Sequence, residues 1–121
     1  MGDDNETITA AKKIVQTFCE QRNWNQFHNP KELAIGMCTE SSELLQIFRF
    51  KTPEECTAML SDPKKNQEIC DELADVFYFV LRFAQMNDID LYDALVNKID
   101  KNITKYPVSL AKDCNKKYDE F

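Results

Sequence analysis

The chain has 121 residues, 43% of them hydrophobic and 30% charged, a balance that suits a folded globular domain and not a disordered one. Fifteen Lys and Arg against 21 Asp and Glu leave a net charge of −6. No basic stripe appears for a nucleic-acid polymer, and no apolar run is long enough to span a membrane. Two Gly and four Pro are too few for the turns of a sandwich or barrel. The expectation is a single all-α domain over 1–121, with its core at about 8–107.

The opening residues, Met1 to Glu6, lack the basic and apolar regions of a signal peptide. Gly2 invites acylation, but Glu6 stands where Ser or Thr is wanted. The first helix is predicted from about Thr9 to Arg22, with Ile8, Ala11, Val15, Phe18 and Cys19 recurring three and four apart. A polar-aromatic connector, Asn23 to His28, follows.

The second long helix has a clear start signal. Asn29 can cap, Pro30 suits the first position, and Glu32 sits at the third. It runs to about Phe50. Thr52-Pro53-Glu54-Glu55 opens a short helix ending near Leu60. Ser61-Asp62-Pro63 opens a long one to about Met86. Asp90 caps the last, which stops at Tyr106 because Pro107 follows. The tail from Val108 to Phe121 is expected to be irregular, with room for one short helical piece. The architecture expected is a four-helix bundle.

Five cysteines, Cys19, Cys38, Cys56, Cys70 and Cys114, show no CxxC spacing. The first four fall in helical patterns, so buried free thiols in a reducing, cytoplasmic compartment are expected.

The informative residues are those that interrupt the apolar seams. On the second long helix the four-three positions read Leu33, Met37, Glu40, Leu44 and Ile47. Glu40 stands in the middle of a face meant for the core, and Glu43 lies one turn on. On the third the stripe reads Ile69, Glu72, Val76, Phe79 and Phe83, with Asp75 one turn beyond Glu72. If these helices pack antiparallel, four carboxylates converge. Unpaired, they would repel at a cost of several kcal/mol each. A hard divalent cation removes that cost, and Mg²⁺ suits carboxylates shared with substrate phosphates.

The last helix adds a complementary pair. Its stripe reads Leu91, Leu95, Lys98, Asn102 and Tyr106, which places a cation and an amide one turn apart. Against this, ExxE and ExxD pairs are common on solvated helix faces, and lysine snorkels easily. Glu68 and Asp71 form such a pair off the seam and are assigned to solvent. A di-iron bundle would need ExxH on two helices, whereas the one histidine, His28, lies outside both pairs. No GxSxG or GxxxxGK sequence is present.

Glu40-Ser41-Ser42-Glu43, Glu72-Leu73-Ala74-Asp75 and Lys98-x-x-x-Asn102-x-x-Lys105-Tyr106-Pro107 together resemble the MazG-like all-α nucleoside triphosphate pyrophosphohydrolases. Phe27 to Leu33 and Phe48 to Lys51 narrow the resemblance to the dCTP pyrophosphatase branch, over roughly residues 8 to 107. The resemblance implies a homo-oligomer, commonly a tetramer, and Mg²⁺-dependent hydrolysis between the α- and β-phosphates. It implies that Glu40, Glu43, Glu72 and Asp75 are catalytic metal ligands. Lys98 and Asn102 would meet phosphate or sugar, and Trp24 and His28 would surround base and ribose, even in a partner's pocket. Two positions depart from the branch. Phe50 replaces a tryptophan, and Phe79 replaces a tyrosine, with Tyr78 beside it. Phe50 can still stack on a base, but Phe79 cannot donate a hydrogen bond.

The function expected is hydrolysis of dCTP or a modified dCTP to dCMP and pyrophosphate, clearing the nucleotide pool. The alternatives are the same chemistry on another nucleotide such as dUTP, and a non-catalytic helical module that binds Mg²⁺ structurally.

Overall fold

The computed structural model describes residues 1–121, with seven α-helices, two 3₁₀ turns and no strand. The all-helical class is as expected. The helices are α1 (Gly2–Asn5), α2 (Ile8–Gln21), α3 (Pro30–Phe48), α4 (Pro53–Met59), α5 (Pro63–Met86), α6 (Leu91–Lys105) and α7 (Val108–Ala111). The four long helices were legible in the sequence, and α1 was not.

Side-chain caps set the helix starts. Thr7 accepts from the Ala10 amide at 3.0 Å, and Asn29 Oδ1 from the Glu32 amide at 2.9 Å. Thr52 and Glu55 form a reciprocal capping box. Asp62 and Asp90 cap α5 and α6. These are the residues whose types favour that position, because a short oxygen acceptor satisfies an amide that the helix leaves unpaired.

The chain forms two compact units, Met1–Asp88 and Ile89–Phe121. In the first, α5 is the central element, packing against α3 and α2. Gly36 lies on Phe79, while Glu40 and Glu43 lie near Glu72. The register therefore descends α5 as it climbs α3, and the two helices are antiparallel. The core of this unit is Val15, Cys19, Leu33, Met59, Ile69, Leu81 and Ala84. At Gly36 the Phe79 ring of α5 comes against the α3 backbone. A Cβ there would stand 2.4 Å from the Phe79 ring, so only glycine admits the ring to the helix backbone.

The second unit holds α6, α7 and a 3₁₀ turn at Tyr118–Glu120. Tyr106 meets Tyr118 and Phe121 edge to face, at centroid distances of 6.0 and 5.8 Å, so the last residues return to the end of α6. None of the α6 side chains is fully buried, and Leu95 and Ile103 are well exposed.

The thiols differ from expectation. Only Cys19 is buried, whereas Cys56 is half-buried and Cys38, Cys70 and Cys114 are exposed. Helical periodicity placed them on helices, but the face each one occupies is set by its neighbours. All five are free. No helix is long and apolar enough to cross a membrane.

Candidate active site

The α3 and α5 seams bring three of the four seam carboxylates together. Glu40, Glu43 and Glu72 each offer an oxygen within 4.8 Å of the others. The antiparallel register does this, since it sets the one-turn pair of α3 opposite the start of the pair on α5. Glu40 and Glu72 are half-buried, and Glu43 is exposed. One oxygen of each seam acid, Glu40 Oε2 and Glu72 Oε2, is sealed from solvent and has no hydrogen-bond partner.

Desolvation is the largest cause of the raised Glu40 pKa, about 7, with a hydrogen bond to Glu43 and the charges of Glu43, Asp75 and Glu72 adding to it. Glu72 is raised for the same first reason, with Glu43 and Asp75 contributing. Two desolvated, unpartnered carboxylate oxygens beside further acids make a donor set that a divalent cation would satisfy. The residues present therefore fit a hard cation.

The other acidic pair of α5 behaves differently. Glu68 takes an ion pair from Lys65 at 3.2 Å, and Asp71 accepts from Gln67 at 2.8 Å. Those acids have local partners and leave nothing for a cation to satisfy.

Beside the cluster opens a cavity of about 470 Å³. Glu40 and Asp75 line it on the acidic side, and Ile14, Val15, Phe18, Trp24, His28, Tyr78 and Phe79 form the rest. The aromatic walls support one another. Phe18 meets Trp24 at 5.5 Å and Tyr78 at 6.0 Å, and Tyr78 meets Phe79 at 5.0 Å, all edge to face. The Arg22 guanidinium lies 3.9 Å from the centre of the Phe18 ring. Tyr78 OH and Cys19 Sγ are 3.0 Å apart, and either can donate. Burial, with that contact second, pushes the Tyr78 hydroxyl well above its ordinary range, so it stays protonated.

Trp24, His28 and Phe79 thus line the same cavity as Glu40 and Asp75, within one chain. Trp24 and His28, expected around base and ribose even in a partner's pocket, line a cavity of their own chain. Phe50 stands elsewhere. It follows α3, is 90% exposed, has a left-handed φ of 66°, and has the Arg49 guanidinium 4.5 Å from its ring centre. Lys98 and Asn102 lie one turn apart on α6 in the second unit, Lys98 exposed and Asn102 half-buried.

Three contributors were missed in the sequence. Phe18 read as ordinary core on α2 and Ile14 was not singled out, yet both wall the cavity. Arg82 was passed over although it interrupts the run Val80-Leu81-Arg82-Phe83-Ala84, the same kind of signal that singled out Glu40. Its side chain is 1% exposed and reaches His28.

The profile of the MazG-like family matches residues 35–121. Human dCTP pyrophosphatase 1 is 31% identical over 114 residues, which cover 94% of this chain and 67% of that protein. The mouse protein of the same name is 30% identical with the same coverage. The crystal structure of a pyrophosphatase from Archaeoglobus fulgidus superposes with a TM-score of 0.77 at 31% identity, covering 85% of this chain and 94% of that one.

Proposed function

This chain belongs to the MazG-like family, and on that premise we propose that it is a Mg²⁺-dependent nucleoside triphosphate pyrophosphohydrolase that converts dCTP, or a base-modified dCTP, to dCMP and pyrophosphate. The observation that carries the reading is the double membership of Glu40. It belongs both to the acidic cluster and to the wall of the aromatic cavity. A base held among the rings would keep its phosphates beside the carboxylates, which is the arrangement that phosphoryl chemistry needs.

Glu40, Glu43 and Glu72 would hold the cation, with Asp75 completing the set from the cavity side. When bound, Mg²⁺ neutralises charge on the phosphate oxygens and acidifies water. Trp24, Phe18 and Phe79 clasp the planar base and exclude water around it. A carboxylate of the cluster takes the proton of the water that attacks the α-phosphorus in line, and pyrophosphate leaves. Lys98 and Asn102 would contact the phosphates or sugar, and Phe50, which lies outside the cavity of its own chain, would stack on a base only from a neighbouring copy.

We also assign the chain to a homo-oligomer, a tetramer built as a dimer of dimers, working in the cytoplasm. Leu95, Ile99 and Ile103 of α6 and Leu73 and Phe77 of α5 are all substantially exposed, more apolar helix surface than a lone small domain ordinarily leaves open.

The test is pyrophosphate release from the four dNTPs, dUTP and 5-methyl-dCTP, each with Mg²⁺ and with EDTA. Metal-dependent release led by dCTP or its 5-methyl form is expected. Release led by another base would keep the acidic centre and discard the cytosine assignment. No release from any nucleotide would favour the structural Mg²⁺ module.

A further inference from the structure

Arg82 is the only buried charged side chain, and it has no acidic partner. Neutral acceptors take all three of its nitrogens. Nε donates to His28 Nδ1 at 2.9 Å, Nη1 to Gln85 Oε1 at 2.6 Å, and Nη2 to Asn25 Oδ1 at 2.5 Å. A buried guanidinium held this way is costly, because no opposite charge compensates its lost hydration. The arrangement constrains the connector between α2 and α3 at two points, Asn25 and His28. Trp24 adjoins this connector and meets the His28 ring at 6.2 Å.

The contact with His28 has a definite chemical consequence. A guanidinium offers only donors and keeps its protons in proteins. The nitrogen that faces Arg82 Nε must therefore present a lone pair. In a neutral imidazole the single proton then sits on Nε2. A proton on Nδ1 would set one N–H against another, so both the other tautomer and the imidazolium are excluded while the contact lasts.

We propose that Arg82 is a positioning residue that fixes His28 as a neutral Nε2–H donor in the cavity wall, so that the cavity selects nucleosides presenting a hydrogen-bond acceptor there. The selection part rests on the cavity's reading as a nucleoside pocket, whereas the tautomer part does not. The class of acceptor is a base carbonyl, a ring nitrogen or a sugar oxygen. His28 then neither takes a proton from water nor meets phosphate as a cation. Burial and, second, the charge of Arg82 hold the imidazole below its ordinary range, in keeping with this geometry. Three other ionisable groups share the wall: Glu40 and Asp75, which are acids on the opposite side of the chemistry, and Tyr78, which burial keeps protonated.

His28 is the only histidine of the chain, so its ring nitrogens can be read without assignment. The experiment is long-range ¹H–¹⁵N correlation of the ¹⁵N-histidine protein, free of nucleotide, from about pH 5 to about pH 8. The expected result is one tautomer, proton on Nε2 and bare Nδ1, with no titration at or above pH 6.5, the ordinary value. A proton on Nδ1, or titration at 6.5 or higher, overturns the proposal. Added dCMP should shift the Nε2 resonance, and binding that leaves it unmoved overturns the selection part. Arg82→Met should give mixed tautomers and raise the dCTP KM more than it lowers kcat, with Arg82→Lys recovering part of both. A Met variant that keeps the single tautomer would also contradict the proposal. If Arg82→Met does not fold, the wild-type spectrum alone decides. Because the spectrum needs no turnover, failure to hydrolyse dCTP would sink the proposed function and leave the tautomer result standing.

Discussion

Glu40 and Glu72 face one another across the α3–α5 seam, each with one carboxylate oxygen sealed from water and without a hydrogen-bond partner. Folding brings them together at a cost that a bound cation would offset. Replacing either acid with Gln removes a charge from a place where charges repel. The metal-free Glu72→Gln protein is therefore expected to melt above metal-free wild type, and to lose most of the rise in Tm that Mg²⁺ gives wild type. Thermal melts with EDTA and with Mg²⁺ check both halves.

The pH dependence of the metal-free protein follows from the same pair. The Glu40 pKa is raised from 4.5 to about 7. Below pH 4.5 the carboxyl is protonated folded or unfolded. Between there and about 7 the unfolded chain releases its proton while the folded chain retains it. Stability is thus fully present at the acid end and is lost as pH rises through about 7. Glu72 shifts in the same direction and adds to the trend. Urea melts in EDTA at stepped pH should show the midpoint falling across this window, and Mg²⁺ should flatten the fall. A metal-free midpoint that rises over the same range would contradict the coupling.

Gly36 sets the shape of the cavity indirectly. The Phe79 ring rests where a Cβ on Gly36 would sit, 2.4 Å from ring carbon. Gly36→Ala must displace the ring or part the helices. A loss of about 1–3 kcal/mol is expected, the usual range for overpacking. Phe79 lines the cavity, so the dCTP KM should rise with it. Normal stability with unchanged KM would show that the ring yields without effect on the cavity.

Phe50 holds a left-handed backbone and an exposed ring, an arrangement that costs a non-glycine residue roughly 1–2 kcal/mol. Phe50→Gly relieves that strain. It also loosens the unfolded chain by roughly 0.4–1 kcal/mol and loses an exposed contact with Arg49 of about 0.5 kcal/mol. The opposing effects nearly cancel, so Tm should change little. A fall in kcat/KM for dCTP at unchanged Tm would then report the ring's part in binding. Unchanged kinetics would remove Phe50 from the site.

Three of the four long helices announce their starts with short capping residues, two of them followed by proline, and all four were legible in their three-four spacing. Leu33, Met37, Glu40, Leu44 and Ile47 are all buried or half-buried, as the stripe predicts. The acidic cluster was legible for the same reason, since a carboxylate on such a stripe has no bland place to go. The α6 stripe was less faithful. Leu95 is 59% exposed, because periodicity says which face is apolar and not what covers it. The cavity walls from α2 could not be read at all. Phe18 has the spacing of a core residue and Ile14 falls outside the α2 stripe, and only the packing of α2 against α5 turns both into a wall. Arg82 could have been found, by asking of the basic residues what was asked of the acidic ones.

The carboxylates on the α3–α5 seam are proposed as the metal centre of a dCTP-hydrolysing enzyme. The most direct test is pyrophosphate release from dCTP by wild type and by Glu72→Gln, each with Mg²⁺ and with EDTA, alongside circular dichroism of both proteins. Expected are release by wild type with Mg²⁺ alone, a loss of at least about 10²–10³-fold in kcat for the variant, and equal helicity. A folded Glu72→Gln protein that hydrolyses dCTP at the wild-type rate would contradict the assignment.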